Sequence, residues 1–205
     1  MTDMGPVLVV TNLDNPMTDL VIDELHGRGV PVVRFDSGDF PATLSLAATV
    51  TSNGIGGTLS TPTRTADLSR VRSLYYRRPS GFAFPHLDGQ TARFAVTQAR
   101  YGLGGVMASL PGCLYVNHPH RIGDAEFKPS GLAAAAACGF RLPEALRAYL
   151  DHFRLVFGAF DFAVDRQGQW WFLECNPSGQ WAWLEPETRL PMVVAMADLL
   201  ERKTA

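Results

Sequence analysis

The sequence predicts an α/β fold, and three observations carry that expectation. Val7-Leu8-Val9-Val10 is a continuous apolar run, an amphipathic stretch follows it, and Val30-Pro-Val-Val-Arg-Phe35 is a second run. Near the C-terminus, two further apolar segments flank the turn residues Asp165-Arg-Gln-Gly168. The 205 residues are 46% apolar and 19% charged, with a mean hydropathy of +0.02, which is the composition of a folded chain able to bury a core.

Taken in order, Val7–Val10 reads as a buried parallel strand ending in Thr11-Asn12. Residues 17–28 place Leu20, Val21 and Leu25 among acids, an amphipathic helix stopped at Gly29. With the strand at 30–35 this is a β-α-β unit, whose crossover is right-handed. Leu44–Val50 and Gly57–Ser60 predict a hairpin around an Asn53-Gly54 turn. Ser73–Arg77 is another strand, running into Arg78-Pro79. A long helix is expected from Gln90 to Leu110, a short strand at Leu114–Asn117, and an alanine-rich helix over 122–138 closed by Gly139. Beyond Pro143 the expectation is a helix at Glu144–Arg154, strands at Val156–Val164 and Gln169–Cys175, and a terminal helix over 190–202.

Several function classes drop out. Eighteen Lys and Arg against twenty Asp and Glu leave a formal charge of −2, so no basic footprint for nucleic acid is present. All but two of the basic residues are arginine, a bias that coding composition explains first, with recognition of carboxylate or phosphate as the alternative. Cys113, Cys138 and Cys175 have no metal-ligand spacing and read as free thiols of a reducing cytoplasm. The first residues lack a signal-peptide pattern, and no apolar stretch reaches the length of a membrane span. Thr11–Pro16, after the first strand, contains no glycine, which excludes both common phosphate-loop motifs there; Asn53-Gly-Ile-Gly-Gly57 lies between strands and reads as a turn.

The chemistry is concentrated in 157–185. Asp161 sits between Phe160 and Phe162 in an otherwise apolar strand. Glu174 and Asn176 end the returning strand two residues apart, so they face one way, and antiparallel pairing brings Asp161 close to them. Two carboxylates and an amide oxygen are hard ligands that suit Mg²⁺ shared with nucleotide phosphates. The alternative is a pair of strand acids with no common task. Trp170, Trp171, Trp181 and Trp183 cluster here, and core and interdomain packing is the expected role of Trp171 and Trp183.

The wording D-F-A-V-D at 161–165 with W-W-F-L-E-C-N-P-S-G-Q-W at 170–181 resembles the C-terminal metal-binding end of ATP-grasp ligases, in particular the ribosomal peptide maturases related to the microviridin (graspetide) ligases. L-Y-Y-R-R-P at 74–79 and N-H-P-H-R-I-G-D-A-E-F-K-P at 117–129 are similar to stretches of their first half. The resemblance implies a Rossmann-like pre-ATP-grasp domain over 1–143 and a truncated ATP-grasp hairpin and helix segment over 144–205. It also implies an enzyme that activates a precursor-peptide carboxylate with ATP, so that a hydroxyl or amine closes an ester or amide ring; the cytoplasmic reading comes from the cysteines and the missing signal and membrane segments. Carried over by position, Asp161, Glu174 and Asn176 would hold Mg²⁺ on the ATP phosphates, and Lys128 would contact phosphate or serve structure. Arg77 and Arg78 would grip substrate carboxylate or phosphate, or form a structural pair. Expected partners are a ribosomal precursor peptide and a second copy of the chain, with no nucleic acid and no membrane. Leu142-Pro143 runs directly into Glu144, where the resemblance would place a central subdomain. The expected outcome is a maturase impaired as this short chain, or a non-catalytic remnant that binds a precursor peptide or a full-length maturase.

Overall fold

The structure is a computed structural model that describes residues 5–52, 54–138 and 144–202. Two compact units divide the chain: Met1–Leu114 with Pro191–Ala205, and Tyr115–Leu190. These units differ in extent from the domains 1–143 and 144–205 expected from sequence.

The first unit is built on β1 (Val7–Thr11), fully buried along its length, with β2 (Val32–Phe35) and β6 (Ser73–Arg77) parallel to it on either side. A strand covered on both faces must be apolar throughout, which is why this run is unbroken valine and leucine. Each such side chain stabilises by about 2 kcal/mol through removal from water. Helix α1 (Pro16–Gly27) makes the crossover. Proline opens it, Asn15 Oδ1 accepts from Thr18 N–H at 3.3 Å, and Gly29 at φ +71° turns the chain out. Leu114 N–H donates to Arg72 C=O at 3.0 Å at the start of β7 (Leu114–Val116).

An antiparallel sheet of β3 (Ser45–Thr51), β4 (Gly54–Ser60) and β5 (Thr65–Asp67) stands in the same unit. Strand β4 starts three residues earlier than the sequence suggests, because Gly54 pairs with Thr51; Asn53 of the expected turn lies outside the described residues. A Cβ on Gly57, at φ +120°, would fall 2.0 Å from Ala47 C=O, so only glycine lets β3 and β4 approach this closely.

The expected long helix is α2 (Gly89–Ala99), a π-helical turn at Arg100–Gly104 and α3 (Gly105–Met107). The terminal helix α8 (Met192–Glu201) returns to this unit. Leu200 is wholly buried, Ser73 Oγ donates to Leu200 C=O at 2.7 Å, and Arg28 bridges Asp198 and Glu201 at 2.7 and 2.5 Å.

The second unit holds α4 (Pro119–Glu126), α5 (Lys128–Cys138), α6 (Glu144–Phe153), the hairpin β8 (Ala159–Val164) and β9 (Trp170–Asn176), and a short α7 (Leu184–Thr188). The single helix expected over 122–138 is two helices. Pro129 has no N–H and its ring would meet the carbonyl one turn back, so the chain breaks at Phe127. The expected stop at Gly139 and the junction Leu142-Pro143 lie outside the described residues, as does Lys203. Tyr149 and Phe153 of α6 pack with Ala134, Ala135, Leu155 and Cys175, and the Phe160 and Phe172 rings lie 5.4 and 5.5 Å from Tyr149. Among the described residues no helix is long and apolar enough to cross a membrane.

Candidate functional site

Strands β8 and β9 pair antiparallel with Asp161 opposite Glu174 and Ala159 opposite Asn176. The next pair is Phe162 with Phe172, which leaves Leu173 as one extra residue on β9, a β-bulge. Residues alternate across a sheet, so Phe172 and Glu174 would share a face without it. With it, Phe172 and Cys175 turn to the Tyr149 cluster while Glu174 joins Asp161 on the opposite face. Asp161 is solvent-exposed and Glu174 partly so. The alternation of β8 puts Phe160 and Phe162 inward and the Asp161 carboxylate outward. The pair is therefore hydrated, and no desolvation penalty has to be offset.

Lys128, the first residue of α5, places Nζ 2.9 Å from Glu174 Oε2. Both side chains are accessible, so the ion pair contributes under about 1 kcal/mol and is easily exchanged for another ligand. Asn176 Oδ1 accepts from Ser178 N–H at 3.0 Å, which fixes its side chain and leaves one lone pair. Behind it, a Cβ on Gly179 would lie 2.3 Å from the Ala159 Cβ, so the turn after Asn176 closes tightly on β8. Cys175, between the two oxygen ligands in sequence, is a buried thiol pushed up to about 12 by burial, with Asp161 and Glu174 adding to the effect. Burial thus favours the neutral thiol over the thiolate. The three cysteines are free, consistent with the sequence expectation.

The structure thus brings together Asp161, Glu174 and Lys128, with Asn176 two pairs further along the same ladder. It treats the two arginines differently. Arg77, at the end of β6, is 2% exposed, and burial holds its guanidinium below the ordinary value, whereas Arg78 is exposed at φ 43°. They do not form one fork, and only Arg78 presents itself to solvent.

One positioning residue escaped the sequence reading. Asn117 is 2% exposed; its Nδ2 donates to Phe157 C=O at 2.8 Å and Pro177 C=O at 2.9 Å, and its Oδ1 accepts from Val156 and Phe157 N–H at 2.8 and 3.3 Å. It ties the entry of β8 to the exit of β9. The available signal was its place at the head of the N-H-P stretch. The tryptophans also correct an expectation: Trp171 and Trp183 are 59% and 60% exposed, and Trp181 is the buried one at 4%. Trp171 is held outward by Asp165, whose Oδ2 accepts from its Nε1 at 2.9 Å.

Among the described residues no three His, Cys, Asp or Glu side chains gather as a self-sufficient metal site. Two exposed carboxylates and one amide oxygen fit Mg²⁺, which keeps waters and takes one or two protein carboxylates together with phosphate oxygens.

No curated protein sequence matches this chain. Among solved structures it is similar to the macrocyclase MdnC of Microcystis aeruginosa MRC bound with precursor peptide MdnA, at 18% identity and a TM-score of 0.83, covering 95% of this chain and 98% of that one. It is similar to the macrocyclase MdnB of the same organism at 22% identity and a TM-score of 0.79, covering 96% and 99%. A Chryseobacterium gregarium RiPP-associated ATP-grasp ligase, in complex with ADP and a leader and core peptide, gives 16% identity and a TM-score of 0.84, covering 98% and 100%. These likenesses establish the fold of RiPP ATP-grasp ligases. The MvdD pre-ATP-grasp domain family matches residues 6–123, more than half of the sequence, and the chain belongs to that family.

Proposed function

We propose that this chain is a peptide-maturing ligase of the ATP-grasp type, retaining the metal-and-phosphate side of the nucleotide site and impaired when it acts alone. The observation that carries the reading is the outward-facing pair Asp161 and Glu174, with Lys128 2.9 Å from the latter. Asp161, Glu174 and Asn176 would hold Mg²⁺, and the ion supplies neutralisation of phosphate charge when bound. Lys128, already beside the carboxylates and loosely held, exchanges Glu174 for a phosphate oxygen. Arg78 offers a planar fork for a peptide carboxylate. The complexes with precursor peptides among the structural relatives support a precursor peptide as partner, and those with ADP, with Mg²⁺ in two of them, support ATP and Mg²⁺ as cofactors.

Impairment is supported by the scarcity of lysines to hold the nucleotide's phosphates. Carboxylate activation needs ATP held at the base and α/β-phosphates as well as at the γ-phosphate. Lys128 and Lys203 are the only lysines in the sequence, and Leu142-Pro143 leads straight to Glu144, where the covering subdomain of the family would stand. Blocks 1–143 and 144–205 are accordingly the two ends of a ligase. The test is the intact mass of the cognate precursor peptide after incubation with the chain, ATP and Mg²⁺. An unchanged mass is expected from the chain alone; loss of one water, abolished by Asp161→Asn, would show a complete ligase.

A further inference from the structure

A cleft of about 630 Å³ opens in the first unit between two strand edges, β2 of the parallel sheet and β5 of the antiparallel one. That is the size of a small-molecule site. Pro6 and Pro31, which precede β1 and β2, give it an apolar wall together with Val32. The opposite wall carries charge, from Arg64, Asp67 and Arg70. Arg64 is fixed at both its backbone and its side chain. Its C=O accepts from Thr61 N–H at 2.8 Å and its N–H donates to Thr61 Oγ1 at 3.0 Å, which closes the turn it leaves. Its Nη1 donates across the cleft to Val32 C=O at 2.7 Å.

The bond to Val32 uses one corner of the guanidinium. Among the described residues the edge formed by Nε and Nη2 has no acceptor, and such an edge takes both oxygens of a carboxylate side-on. Because the turn and the Val32 bond already restrict the side chain, little rotamer freedom is left to lose when an anion is held. Charge narrows the ligand further. Two arginines against Asp67 leave the cleft one positive charge in excess. Asp67 stays ionised: Ser69 Oγ and N–H donate to its Oδ1 at 2.7 and 2.9 Å and, with Arg70 nearby, hold its carboxyl below the usual range. A single negative charge balances this cleft, whereas a phosphate dianion would also face Asp67. The proline wall offers contact to hydrocarbon.

We propose that the cleft between β2 and β5 binds a monocarboxylate with an apolar body, the carboxylate on the Nε and Nη2 edge of Arg64 and the hydrocarbon against Pro6 and Pro31. A free acid and a glutamate side chain of a peptide both carry this chemistry. Heteronuclear NMR of the full chain tests it, following the Val32 and Thr65 amides and Arg64 Nε–H during titrations with hexanoate, N-acetyl-Leu-Glu-Leu-amide and inorganic phosphate. Saturable shifts with hexanoate support a free acid as ligand, and saturable shifts with the peptide alone support a side-chain carboxylate. Arg64→Lys keeps the charge but not the planar edge, and it should weaken carboxylate binding roughly tenfold or more. Asp67→Asn still accepts from Ser69 and removes the repulsion, so phosphate should bind this variant more tightly than the wild type. Absence of saturable shifts with either carboxylate would overturn the proposal. So would an affinity unchanged in Arg64→Lys, or phosphate binding the wild type as tightly as the carboxylates, with far-UV circular dichroism confirming that both variants are folded.

Discussion

Asp161 lies directly across the β8–β9 pair from Glu174, and the extra residue Leu173 is what turns Glu174 to Asp161's side. Phe172 and Glu174 are two apart, so one unbroken strand could not send the ring to the Tyr149 cluster and the carboxylate to the open face. Deleting Leu173 should therefore separate the carboxylates or expose Phe172. A deletion variant is expected to lose cooperative unfolding of the second unit, measured by tryptophan fluorescence in urea.

Asn117 holds both ends of the hairpin through four hydrogen bonds from a buried side chain. Asn117→Ala leaves two carbonyls and two N–H groups without that partner. The expected cost is about 3 kcal/mol of stability, from bonds lost and polar groups left dry. Chemical denaturation of wild type and variant measures it, and a change within 0.5 kcal/mol would assign the hairpin's anchorage elsewhere.

Asp165 accepts from Trp171 Nε1 and from the Gln167 and Gln169 N–H groups, each at 2.9 Å, and these bonds, Trp171 foremost, hold its carboxyl below the usual range. A depressed folded pKa means the contribution is present above the unfolded value near 4 and is lost as pH falls through the folded one. Trp171 emission should shift on acidification below about pH 4, ahead of global unfolding. Asp165→Asn should show the acid-state signal already at neutral pH.

Much of this was legible in the sequence, for physical reasons. Val7–Val10 could be nothing but a doubly covered strand, and Ser73–Arg77 matches β6 residue for residue. Glu174 and Asn176 share a face because period-two reasoning is safe over two residues. It fails across a bulge, which adds a residue without changing the composition, so Leu173 could not be anticipated. The exposure of Asp161 was not legible either, because flanking phenylalanines say nothing about which face of a strand is covered. The return of α8 to the first unit was equally hidden: an amphipathic helix does not encode which sheet it covers. The partition of the chain into Met1–Leu114 with Pro191–Ala205, and Tyr115–Leu190, follows from that return.

That helix supplies a further test. Leu200 and Ala197 are fully buried, and Met196 is 6% exposed. Leu200→Ala should destabilise the first unit by about 3 kcal/mol, the cost of a cavity in a packed core. A fragment ending near residue 140 lacks α8, and it should be molten rather than cooperatively folded. Cooperative unfolding of that fragment by calorimetry would show α8 to be dispensable.

The central claim is that the open face of β8–β9 binds a divalent cation together with nucleotide phosphate. Isothermal titration of ADP into the chain with Mg²⁺ present tests it most directly, with Glu174→Gln as the paired measurement. The account predicts Mg²⁺-dependent heat from the wild type and an affinity lowered roughly tenfold or more in the variant, the scale on which losing one group of a metal site is felt. Equal binding by both proteins, or none by the wild type, would contradict it.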